Sequence, residues 1–145
     1  MPADSPPINT ALSVTEYSTN GSSYTAMDNV LNVEATGRVA KIIERRRKGQ
    51  TTVEKFVARV DHGSVKITQE YGSAIYAVWD AFFQPATRVP VYIRDTMDDA
   101  GSTASKVVYY GWVSECSAPS TPGDDAVEEF TVTVAVTTAT FTPGT

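Results

Sequence analysis

Few side chains in this sequence can do chemistry on their own. His62 is the only histidine and Cys116 the only cysteine, so a nucleophile pair or a metal site built on such ligands has little to draw on. His62 stands in Asp61-His62-Gly63, which reads as an exposed tight turn. Cys116 follows a predicted strand, where a buried, inert thiol is expected. Asp95, Asp98 and Asp99 fall in DTMDDAGS, which lacks the alternate spacing and terminal glutamate of a calcium loop and reads as a solvated connection. Glu128 and Glu129 are adjacent on a predicted strand and point to opposite faces, a poor geometry for shared acid and base work. Gly37 and Gly49 flank a basic segment, but no G-K-[ST] follows to cradle phosphate. The expectation is a protein with no catalytic residue, no cofactor and no metal, and not an enzyme.

The remaining chemistry is electrostatic. Between Arg38 and Arg59 stand eight of the twelve basic residues, Arg38, Lys41, Arg45, Arg46, Arg47, Lys48, Lys55 and Arg59, against Glu44 and Glu54. That window carries +6, which leaves −11 for the rest of a chain whose total is −5. An acidic body with one basic projection can attract a second copy head to tail, because the two patches are complementary rather than identical. The run Arg45, Arg46, Arg47 and Lys48 would be the donor loop of such a contact. Its candidate acceptors are Asp95, Asp98 and Asp99, or Asp124, Asp125, Glu128 and Glu129. The acidic total and a pI near 4.8 argue against a dedicated nucleic-acid binder.

Residue patterns say what must position these charges. Residues 1–14, with Pro2, Pro6 and Pro7 among small polar residues, read as a flexible N-terminal arm with too little apolar surface to order itself. No basic region followed by an apolar run starts the chain, and no run approaches a membrane span, so folding in a reducing cytoplasm is expected. Residues 15–145 read as one domain. Within it, 21–36 predicts one or two short strands with a turn at Asp28 and Asn29, and 37–60 a long hairpin with a charged tip.

Val65 and Ile67 alternate with Lys66 and Thr68 as on a half-buried strand. Ile75, Val78, Trp79, Phe82 and Phe83 form an apolar stripe at helical spacing, predicting a helix from Ser73 to Phe83 with Ser73 as N-cap and Pro85 as its stop. Pro90 cannot donate to a ladder, which places the strand at Arg88 to Arg94 on a sheet edge. A polar connection follows from Asp95 to Ser105, and the strongest strands are Lys106 to Glu115 and Val127 to Val136. The fold class is mainly β: an antiparallel sandwich or barrel of seven or eight strands with one packed α-helix and a long protruding hairpin.

With the elements in this order, the chain resembles the major tail tube proteins of long, non-contractile-tailed (siphovirus-type) bacteriophages. The resemblance rests on the N-terminal arm, the segment GSSYTAMDNVLNV, the charged hairpin of Gly37 to Val60, the strand HGSVKITQEY, the helix SAIYAVWDAFF, and the closing strands KVVYYGWVSE and VEEFTVTVAV. It implies a virion protein, assembled in the host cytoplasm, whose hexameric rings stack through the hairpin and arm into a tube that conducts DNA. The implied partners are further copies of itself and other tail proteins (tape measure, terminator, distal tail), with DNA passing unbound and no membrane contact. An acidic lumen would repel phosphates. Two other readings stay open: a tail terminator or head-tail joining protein that makes one ring, and a carbohydrate-binding β-sandwich module stacking sugars on Tyr92, Tyr109, Tyr110 and Trp112.

Overall fold

Alternation fixes the core. In the computed structural model, which describes residues 14–97, 104–119 and 128–144, Val65, Ile67 and Gln69 of one strand are buried while Lys66 between them is exposed. Phe130, Val132 and Val134 of its neighbour behave alike, as a strand's two-residue period requires. The described residues form β1 (Val14–Ser18), β2 (Thr25–Ala26), β3 (Val30–Ala35), β4 (Val39–Arg45), β5 (Glu54–Asp61), β6 (Ser64–Glu70), α1 (Ser73–Phe83), β7 (Val91–Thr96), β8 (Lys106–Cys116) and β9 (Glu129–Thr142). Seven strands make one antiparallel sheet in the order β2-β1-β7-β8-β9-β6-β3, and β4 and β5 pair with each other alone.

The sheet curls around α1. Trp79 of α1 packs against Tyr17 of β1, with ring centres 5.9 Å apart and the rings tilted by 51°, and donates its indole N–H to Gln69 of β6 at 3.0 Å. Those strands are four spacings apart, roughly 19 Å if the sheet were flat, so both reach one side chain only through strong curvature. The link between β2 and β3 closes the curl. Met27 N–H donates to Thr15 on one margin at 2.9 Å, and Glu70 N–H on the other margin donates to Asn29 at 3.0 Å. Asn29 takes the left-handed conformation (φ 58°), which asparagine tolerates better than most residues. Inside lie Val65, Ile67, Trp79, Phe82, Val91, Ile93, Val113, Phe130, Val132 and Val134. Each such side chain contributes about 1.5–3 kcal/mol on burial.

The helix spans Ser73–Phe83 as its stripe predicts, but its N-cap is Gly72 with no side-chain cap bond, and Ser73 is the first helical residue. Asp28 and Asn29 form the expected turn. The strand after Pro90 is not at an edge: β7 lies between β1 and β8. It begins at Val91, one residue past the proline, so no ladder bond falls to Pro90. β7 also runs on through Asp95 and Thr96, which the sequence suggests are loop, because β1 and β8 pair with both. Val14, counted with the arm, is the first residue of β1. β9 continues to Thr142 because β8 pairs with it throughout, Lys106 opposite Thr142. β6, in contrast, reaches only Ala135 of β9. Among the described residues the sheet therefore has an open end, where Thr96, Lys106 and Thr142 line up and the hairpin departs.

Candidate interaction site: an exposed basic hairpin

Beyond β3 the chain leaves the body. Every residue of β4 is exposed, and in β5 only Glu54 is half-buried. Cross-strand partners share a face, so the register gives the hairpin two different sides. One carries Lys41 opposite Arg59, Ile43 opposite Phe56 and Arg45 opposite Glu54. The other carries Ala40 opposite Val60, Ile42 opposite Val57 and Glu44 opposite Lys55. Apolar residues thus occupy both sides: Val39 and Val57 are 65% and 62% exposed, and Ile42 and Ile43 49% each. A two-stranded hairpin is at best marginal in water, and apolar exposure on this scale marks a surface that another chain covers.

The tip holds its shape through local bonds. Arg45 meets Glu54 at 3.2 Å with its guanidinium 5.0 Å from the Phe56 ring centre, and Lys55 meets Glu44 at 3.7 Å. Exposed pairs of this kind contribute about 1 kcal/mol or less each. Arg46 Nε donates to the Gln50 carbonyl at 3.0 Å, Gln50 N–H donates to the Arg47 carbonyl at 3.1 Å, and Gly49 takes the left-handed turn position (φ 83°). Arg38, Lys41, Arg46, Arg47, Lys48 and Arg59 have no acidic partner among the described residues. Lys41 directly opposite Arg59 is a like-charge pair that costs stability in the isolated chain.

Of the candidate acceptors, Asp98, Asp99, Asp124 and Asp125 lie outside the described residues. Asp95 sits on β7 with the parity of Val91 and Ile93, on the concave side of the sheet, half-buried. Thr15 donates its hydroxyl to Asp95 Oδ1 at 3.1 Å. Burial pushes the Asp95 carboxyl above its ordinary pKa, against the smaller lowering effect of that hydroxyl. Glu128 and Glu129 are exposed at the start of β9, Glu129 opposite Glu70, at the end of the sheet away from Asp95. Asp95 and the Glu128–Glu129 pair therefore belong to opposite ends of the sheet.

His62 is not an exposed turn residue. It is half-buried, with Nδ1 buried and without a hydrogen-bond partner among the described residues. It stands at the hairpin root between clefts of about 400 Å³ and 280 Å³, because Gly63 (φ 71°) turns β6 out of line there. Cys116 is half-buried and meets the Tyr76 hydroxyl instead of His62; burial first, then the charge of Asp80, pushes its thiol upward. The four aromatics suggested as a sugar platform divide. Tyr92 and Tyr110 pair across β7 and β8 with ring centres 4.6 Å apart, and the 44% exposed Trp112 shares their face, but Tyr109 has the opposite parity and faces inward. What the sequence hid was the apolar cover on both hairpin sides; the signal for it was Val39, Ile42 and Ile43 breaking a strict alternation.

No family model matches the sequence, and no curated protein matches it. Among solved structures the chain is similar to one in the "Cryo-EM structure of the anti-feeding prophage (AFP) baseplate, 6-fold symmetrised", at a TM-score of 0.66 and 10% identity over 90% of this chain and 92% of that one. The likeness is one of fold.

Proposed function

We propose that this chain is a structural subunit of a phage-tail-type particle, in which copies of it close into rings of six and the rings stack into a tube that conducts DNA. The observation that carries the reading is the hairpin: β4 and β5 stand off the body with apolar residues on both faces and six cations lacking acidic partners among the described residues. Such a projection is costly in a monomer and useful in an assembly. Fold similarity to a chain of a six-fold prophage baseplate supports a virion component with other tail proteins as neighbours. The −11 carried by the rest of the chain would keep phosphates from sticking to a lumen. In this reading the cations of Arg45 to Lys48 reach the next ring. Reversing the charge of Arg45, Arg46 and Arg47 to glutamate leaves the chain folded and yields rings that do not stack, as scored by electron microscopy; tubes at normal yield would remove the tip from the mechanism.

A further inference from the structure

The open end of the sheet has the features of a docking surface: a cleft of about 280 Å³ runs there between the chain's own hairpin root at Thr36 and Arg38 and the concave-face residues Val107, Tyr109 and Phe141. Packing against the core extends as far as Tyr109; one step further on the same concave face, Phe141 is 56% exposed opposite Val107. Val107 in turn pairs with Asp95. Next to them, among the described residues, β9 is unpaired from Thr137 to Thr142 on its β6 side, since β6 stops at Ala135. A long unpaired edge is a template for another chain. Asp95 completes the set: among the described residues this half-buried carboxylate accepts one side-chain hydrogen bond, from the Thr15 hydroxyl, and forms no ion pair.

The hairpin shaft has the complementary shortages. Among the described residues it offers two unpaired strand edges, the apolar pair Ile43 and Phe56, and on the same side Lys41 facing Arg59 without an anion between them. The nearest carboxylate of that side, Asp61, already accepts the Gly63 N–H at 2.9 Å. β3 and β9 both run antiparallel to β6, so the hairpin that continues from β3 departs at the end Asp95 faces. A copy stacked head to tail presents its opposite end to that hairpin, whereas a copy standing alongside presents its Asp95.

We infer that the concave surface around Asp95 seats the hairpin shaft of a second copy lying alongside in the same ring, with the second copy's Lys41 and Arg59 on Asp95 and its Ile43 and Phe56 against Phe141. This rests on the ring-forming reading above and divides the hairpin's work: the shaft closes rings and the tip stacks them.

The test uses the full chain. Two variants, I43C and F141C, each made with C116S, alter side chains exposed at the surface and are mixed under oxidising conditions. A disulfide-linked dimer is expected in the mixture well above the level in either variant alone. Asp95→Asn is expected to weaken ring formation in sedimentation by about tenfold or more, as loss of one partner of a desolvated charge pair does, and Asp95→Lys to abolish it until mixed with a K41D/R59D variant. Rings that form without the mixed cross-link, and with Asp95→Asn assembling like the unaltered chain, would overturn the inference and leave the ring-forming reading in place. An unaltered chain that never forms rings would overturn both.

Discussion

Trp79 donates its indole N–H to the side-chain oxygen of Gln69 across 3.0 Å, and Gln69, itself fully buried, passes its amide to the Asp28 carbonyl at 2.8 Å. One side chain thus ties the helix, β6 and the closing corner of the sheet. Replacing Gln69 with leucine leaves the indole N–H and a backbone carbonyl without partners, at about 1–3 kcal/mol for each buried group. Urea denaturation is expected to show a loss of about 2–4 kcal/mol, more than a Leu31→Ala control at a half-exposed position.

Gly111 lies where β8 crosses β9, and a methyl group there would collide with the Ala135 carbonyl oxygen, a backbone atom of the central pair that cannot step aside. Gly37 at the hairpin root has open space around it. Gly111→Ala is expected to cost at least about 2 kcal/mol or prevent folding, and Gly37→Ala to change the melting temperature little.

Ile42 and Val57 face each other on the second side of the hairpin and contribute nothing to the core. The double change to serine should leave thermal unfolding of the isolated chain within about 0.5 kcal/mol. It should weaken association by about 1–2 kcal/mol per residue if that side is covered in the assembly. Unchanged sedimentation would show that this side stays open to water.

Asp95 is predicted to act with opposite signs on folding and on association. Because burial raises its pKa in the folded chain, the folded state holds this proton more tightly than the unfolded state does. Stability is therefore highest where Asp95 is protonated and falls as pH rises from the ordinary carboxylate pKa through the raised one. Asp95→Asn removes that decline: the variant should match the parent near pH 3 and melt above it near pH 7, measured on monomer. A lower melting temperature for the variant at neutral pH would show that the carboxylate stabilises the single chain and is not held in reserve for a partner.

Much of the architecture is legible in the residues, for reasons that particular elements make plain. The stripe from Ile75 to Phe83 marks α1 residue for residue because an apolar face at 3.6-residue spacing has no other use in so short a segment. β6 and the first half of β9 are legible from two-residue alternation. The second half, Thr137 to Thr142, is not, because the bulge at Thr137 breaks the period and only Ala139 and Phe141 mark the apolar face beyond it. β7 misleads through Pro90, whose effect ends at the residue where the ladder begins. For the site, the basic run Arg45 to Lys48 announces itself by charge, whereas Asp95 looks like any loop aspartate until β1 and β8 place it on the concave face. His62 is half-buried for a reason no local pattern encodes: Gly63 sends β6 away at that point and the hairpin root closes over the ring.

In the proposed assembly unlike ends of this molecule attract, so that copies build an ordered polymer. Negative-stain electron microscopy of the concentrated protein, at low and at high salt, tests it most directly. Rings and stacked tubes are expected at low salt, and they should shorten as salt screens the hairpin's charge. Single particles at high concentration and low salt would contradict it.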